Sequence, residues 1–163
     1  MTGSGTPFNS ALETGVRTLA LLVACYPTAC DLGRLVQYDY LTVHSADANG
    51  PPSLHPPLPL RSGELLVRRS LIESGLRLMM SRALVRHDLR PDGFYYAADD
   101  AAGPFLDNMR SAYIVALRDR AAWVATTFNS ASAEELAASA KRLFAAWTIE
   151  FQPVQRGTQI ELL

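Results

Sequence analysis

Residues 61–85 read Arg61-Ser62-Gly63-Glu64-Leu65-Leu66-Val67-Arg68-Arg69-Ser70-Leu71-Ile72-Glu73-Ser74-Gly75-Leu76-Arg77-Leu78-Met79-Met80-Ser81-Arg82-Ala83-Leu84-Val85, and residues 86–98 continue Arg86-His87-Asp88-Leu89-Arg90-Pro91-Asp92-Gly93-Phe94-Tyr95-Tyr96-Ala97-Ala98. Leu65, Ile72, Leu76, Met79 and Ala83 recur at helical spacing, which predicts a long helix with one buried stripe. Pro91-Asp92-Gly93 predicts a tight turn. Proline presets φ, aspartate bonds back to the backbone, and glycine accepts φ > 0. The stretch therefore reads as a helix, a short strand, a turn and a second strand.

A helix running directly into a β-hairpin is how a winged helix-turn-helix ends, with its third helix in the recognition position. The chain upstream supplies two earlier helices. Ser10-Ala11-Leu12-Glu13 fits a capping box, and Leu12, Val16, Leu19, Ala20 and Val23 follow on one face to about Ala24. Leu21 and Leu22 widen that face, which predicts a central helix. Tyr26-Pro27 ends it, because the residue before proline avoids the helical region. Thr28-Ala29-Cys30-Asp31 resembles a second cap, with Leu32, Leu35, Val36, Tyr40 and Val43 as the next stripe, to about His44.

Downstream, Asp99-Asp100 marks a short helix burying Phe105 and Leu106. Tyr113, Ile114, Leu117, Ala121, Val124 and Phe128 then mark a longer helix from Ser111. Ser132-Ala133-Glu134-Glu135 is the clearest capping box, opening a last helix with Leu136, Ala140, Leu143, Phe144 and Trp147. The expected fold is mainly α. A winged helix-turn-helix core over 8–98, with a β-hairpin wing, carries a C-terminal α-helical hairpin over 99–150. Residues 1–7 are expected to be disordered, and 151–163 form an unassigned tail.

At 163 residues the chain has room for one domain, or one domain with a helical extension, and a 48% hydrophobic share is enough for a core. No apolar run approaches the roughly 20 residues of a bilayer-spanning helix. Met1–Thr6 has no basic leader, and the expected location is cytoplasmic. Cys25 and Cys30 read first as buried thiols, with a disulfide or a metal pair as alternatives. His44, His55 and His87 have no metal-ligand spacing, Arg61-Ser62-Gly63-Glu64 lacks the glycines and lysine of a phosphate loop, and no serine sits in an elbow motif. The expectation is a non-enzyme with no catalytic residue, metal or cofactor.

A formal net charge of −1 provides no bulk attraction to nucleic acid. On the third helix, the face opposite the predicted core stripe carries Ser70, Ser74, Arg77 and Ser81 beside Glu73, which is near neutral. Val67, Leu71 and Leu78 add a second apolar strip, as expected of a packed or partner-covered helix. Any DNA contact is expected through Arg77, Arg82, Arg86 and Arg90. The alternative is a solvated hairpin of mixed charge. Residues 45–60 hold five prolines within nine positions, which predicts a stiff, partly polyproline connector. Leu54, Leu58 and Leu60 either tuck onto the core or serve a docking loop.

The blocks Leu32-Gly33-Arg34-Leu35-Val36-Gln37-Tyr38-Asp39-Tyr40-Leu41, His44-Ser45, Gly50-Pro51-Pro52-Ser53-Leu54-His55-Pro56-Pro57-Leu58-Pro59 and Arg61–Arg69 resemble the middle components of bacterial ABC three-component systems, over about residues 8–150. The resemblance implies an adaptor between an SMC- or Rad50-like ABC ATPase and an effector, in conflict with phage or other invading DNA. It implies no catalytic residue. Expected partners are that ATPase and effector, with weak DNA contact and a possible homodimer. The expected docking residues are Leu54, Leu58, Arg61, Arg68 and Arg69. The competing reading is a winged-helix transcription regulator, dimeric through its C-terminal helices.

Overall fold

The computed structural model describes residues 10–56, 64–139 and 142. Their order is α1 (Ala11–Cys25), β1 (Cys30–Asp31), α2 (Leu32–Val43), a 3-10 turn (Ser45–Ala48), α3 (Glu64–Ser81), β2 (Val85–Arg90), β3 (Gly93–Ala98), α4 (Ala102–Asp107) and α5 (Ala112–Phe128). Helices dominate, and the three strands form a small antiparallel sheet in the order β1-β3-β2. This arrangement is compatible with a winged-helix-like fold.

The helix starts follow from their caps. Ser10 Oγ accepts the Glu13 N–H at 3.1 Å, an Asp31 carboxylate oxygen accepts that of Arg34 at 2.7 Å, and Ser111 Oγ accepts that of Ile114 at 3.2 Å. Ser132 and Glu135 cap each other reciprocally and open a helical stretch over 133–139. Each such cap stabilises by about 1 kcal/mol. The short helix after the hairpin starts at Ala102 without a side-chain cap, because its N-cap residue is Ala101, which has no side-chain acceptor; the Asp99 carboxylate accepts the Asp100 N–H.

α1 is central, as its widened apolar face predicts: every residue from Thr14 to Leu22 is buried. Leu12, expected on the buried stripe, is exposed, because the helix is enclosed only from Thr14 onward. α1 and α3 cross with almost no space between their backbones. A Cβ on Gly75 would lie 2.7 Å from the Gly15 nitrogen and 2.8 Å from its Cα. Ile72, Leu76 and Met79 of α3 are buried there.

The predicted stripe fails at its end. α3 stops at Ser81, and Ala83 is exposed with a φ of 57°. The Leu84 N–H reaches the Met79 carbonyl and the Ala83 N–H reaches that of Met80, each at 3.0 Å. These are the paired bonds of a helix that ends through a left-handed residue. Glycine usually holds that place, since a Cβ there costs about 1 kcal/mol. Burying Leu84 in the core offsets that cost.

Arg90 pairs with Gly93 across the two-residue turn Pro91-Asp92, and Gly93 takes a φ of 135° that its lack of a Cβ permits. β3 is the middle strand, because Cys30 and Asp31 pair with Tyr96 and Tyr95. A two-residue strand is too short to register in hydrophobic periodicity. Leu136 is buried beside the core helices. Ala140, Leu143, Phe144, Trp147, the 151–163 tail and residues 1–7 lie outside the described residues, as do Leu58, Leu60 and Arg61.

Candidate functional site

The chemistry-bearing groups converge where α1, α2 and the start of α3 meet. Arg17 rises from the middle of α1 and Asp39 from α2, and both are buried. Arg17 Nε donates to Asp39 Oδ1 at 2.9 Å and Nη2 to Oδ2 at 3.3 Å, while Arg68 Nη1 donates to the same Oδ2. Burial raises the Asp39 pKa, but the charges and hydrogen bonds of Arg17 and Arg68 outweigh it and hold the carboxyl below its ordinary value. Burial likewise opposes the Arg17 charge, and Asp39 reverses the direction. Two guanidiniums thus share one carboxylate, and the cluster carries net positive charge inside the fold.

A histidine pair borders this cluster. The His55 ring lies 6.2 Å from that of His44 and stacks on Tyr113 of α5, with Nε2 2.8 Å from the Tyr113 hydroxyl. Burial, then the positive charge of Arg17, pushes His55 down to about 4. Burial and then Arg68 lower His44 as well. Both rings are biased towards the neutral form, and His55 ties the connector to α5. The connector is fastened further by Ser45 Oγ donating to the Pro51 carbonyl at 2.8 Å and Arg120 Nε to that of Pro52 at 2.9 Å. Gly50 faces the Trp123 ring so closely that a Cβ would come within 2.4 Å of it.

Of the expected docking residues, Arg68 is 14% exposed with its head group on Asp39 and over the Tyr40 ring, so it faces inward. Leu54 is half-buried against the core. Arg69 is exposed, with Glu73 at 3.8 Å. Beside it, Leu66 at 72% and Val67 at 57% exposure put two large apolar side chains in solvent. Arg77, Arg82, Arg86 and Arg90 are all exposed, with Arg77 bonded to Ser74 and Arg90 stacked on Tyr95 and bonded to Asp88. Cys25 and Cys30 are free, buried thiols. Among the described residues, no group of three or more His, Cys, Asp or Glu is placed to hold a metal ion, and no helix is long and apolar enough to cross a membrane.

The ABC-three component (ABC-3C) system Middle Component 2 family model matches residues 7–150. The chain belongs to that family. No curated protein and no solved structure matches it. For a Middle Component 2 chain, the buried arginine–aspartate–arginine cluster is the feature that sequence reasoning missed. Its signal was faint: Arg17 and Asp39 are each the one charge among Val16–Leu22 and Leu35–Val43, two mostly apolar runs that also hold Thr18, Gln37 and Thr42. Two charges of opposite sign in two such runs are expected to meet, since an isolated buried ion is too costly to keep. Middle Component 2 membership implies partner proteins within its own system.

Proposed function

We propose that this chain is a non-catalytic adaptor that links an SMC- or Rad50-like ABC ATPase to an effector in bacterial defence against invading DNA. The observation that carries this reading is the Middle Component 2 match across residues 7–150. The ionisable groups brought together in the interior support it, because Arg17, Asp39 and Arg68 satisfy one another and serve the packing of three helices. The docking surface is proposed at the start of α3, where Leu66, Val67 and Arg69 are exposed, together with the preceding segment that holds Leu58 and Arg61. Exposed apolar side chains mark surface that a partner can cover, and arginine is among the residues enriched at such interfaces. Arg68 would act through Asp39 by fixing where α3 begins, and Leu54 by anchoring the connector.

Co-purification of the chain with the ABC ATPase and effector of its own system tests this. Val67→Asp/Arg69→Glu alters exposed side chains only, so the variant is expected to keep its melting temperature and to lose one or both partners. Retention of both partners would place the docking surface elsewhere. Failure of the unaltered chain to hold either partner would end the adaptor reading.

The exposed Arg77, Arg82, Arg86 and Arg90 favour a second reading, a winged helix-turn-helix that touches DNA as a transcription regulator would. With a net charge of −1, the expected binding is weak, tolerant of sequence and lost as salt rises. Fluorescence anisotropy with duplex DNA at two salt concentrations measures it. Sequence-selective binding at about 10 nM or tighter in physiological salt would favour the regulator over the adaptor.

A further inference from the structure

The outer edge of β2 is a strand edge with no partner among the described residues, since β2 ends the order β1-β3-β2. Its hydrogen-bonding positions follow from the register. The Asp99 N–H donates to the Leu84 carbonyl at 2.9 Å, and Val85 pairs with Ala98. In an antiparallel ladder, bonded and non-bonded pairs alternate. Arg86, Asp88 and Arg90 therefore turn their backbone groups towards β3, while Val85, His87 and Leu89 turn theirs outward. The turn agrees, because Arg90 and Gly93 close a two-residue loop.

Edges of this kind are usually blunted by charged side chains. Here the charges select a partner. We infer that β2 pairs antiparallel with β2 of a second copy of this chain, centred on His87. Outward-facing residues must oppose outward-facing residues, so the two-fold falls on a single residue of β2. Centring on Val85 runs the second copy onto the end of α3, and centring on Leu89, although it opposes Asp88 and Arg90, sets His87 against Pro91, which has no N–H, and runs the pairing into the turn. Three registers remain. Centring on Arg86 sets arginine against arginine, and centring on Asp88 sets aspartate against aspartate. Centring on His87 sets Arg86 against Asp88 of the second copy, twice by symmetry, and Val85 against its Leu89. Opposite charges directly across a ladder attract and like charges repel.

The apolar side chains follow the same geometry. Val85 and Ala98 are buried at the base of the hairpin, and the same face continues outward to Leu89 and Phe94, which pair with each other and are 69% and 51% exposed. His87 packs edge-on to Phe94 at 5.8 Å. In the dimer, Leu89 comes to lie beside Val85 of the second copy, and two three-stranded sheets become one six-stranded sheet. The pairing is isologous, as a two-fold axis requires.

Sedimentation velocity of the full chain tests the inference. A dimer is expected at about 100 μM, with dissociation on dilution in the micromolar range expected of a small interface. Arg86→Asp and Asp88→Arg each set like charges across both symmetry-related pairs, so each is expected to weaken the dimer by about tenfold or more. The double swap Arg86→Asp/Asp88→Arg restores opposite charges and is expected to restore the dimer. His87→Pro removes an outward N–H that β3 does not use and is expected to leave a folded monomer by circular dichroism. A wild-type monomer at the highest concentration, single variants that dimerise as well as wild type, or a double swap that stays monomeric would each overturn the proposal.

Discussion

Gly75→Ala is expected to destabilise the chain by about 3 kcal/mol or more in a urea melt, although alanine is the better helix former by about 1 kcal/mol. The added Cβ would meet the Gly15 nitrogen at 2.7 Å, the Gly15 Cα at 2.8 Å and the Thr14 carbonyl carbon at 3.2 Å. All three are backbone atoms of a helix buried on every side, so α1 cannot step back without opening its contacts with its neighbours. Gly15→Ala is the control. Its Cβ would meet the Met79 Cε at 2.7 Å, the end of a flexible side chain, with the Gly75 carbonyl oxygen next at 3.2 Å. A smaller loss is expected there, because methionine adapts where backbone does not. If Gly75→Ala is neutral or stabilising, the close crossing of α1 and α3 is not how this protein packs.

Asp39→Ala is expected to cost about 3–5 kcal/mol, because it leaves Arg17 buried without a counter-charge. The Arg17 side chain is only 3% exposed. Arg68→Met should cost less, since the Arg68 head group is nearer the surface and Asp39 keeps Arg17. The double replacement Arg17→Met/Asp39→Leu should recover much of the loss, as buried ion pairs replaced whole by apolar residues often do. Chemical denaturation of the three variants measures the series. If Asp39→Ala melts like wild type, the cluster is not holding the helices together.

The same groups predict the acid branch of stability. The folded His55 sits at about 4 against an ordinary 6.5, so the unfolded chain takes up the proton first. Its contribution is complete above 6.5 and is lost as the pH falls towards 4. Asp39 is held below its ordinary 3.8, so its contribution is present above that value and is lost as the pH falls through the lower, folded value. Removing the carboxylate with Asp39→Asn should therefore flatten the lower window and, because Asp39 partly counteracts the lowering of His55, move the His55 window further down.

Local chemistry in the sequence was enough to place most of the helices and the hairpin. Ser10, Asp31, Ser111 and Ser132 each announce a helix within four residues of its first turn, and Pro91-Asp92-Gly93 announces the turn by its own backbone preferences. The blocks across 32–69 also carried the family, whose model matches residues 7–150. The interior was another matter. Arg68 was legible as a charged residue on a helix, but periodicity cannot say that its head group turns inward to a carboxylate 29 positions earlier. Ala83 continues the helical stripe in sequence, yet it takes a left-handed conformation that ends the helix, and Leu84 after it is buried in the core. Cys30 and Asp31 become a strand only because β3 arrives beside them, and Gly75 matters only because Gly15 lies across it. Caps and turns are decided by hydrogen bonds between near neighbours, so they can be read from the chain itself. Strand partners, close helix crossings and buried ion pairs join residues far apart in sequence, and only the assembled core determines which of them meet.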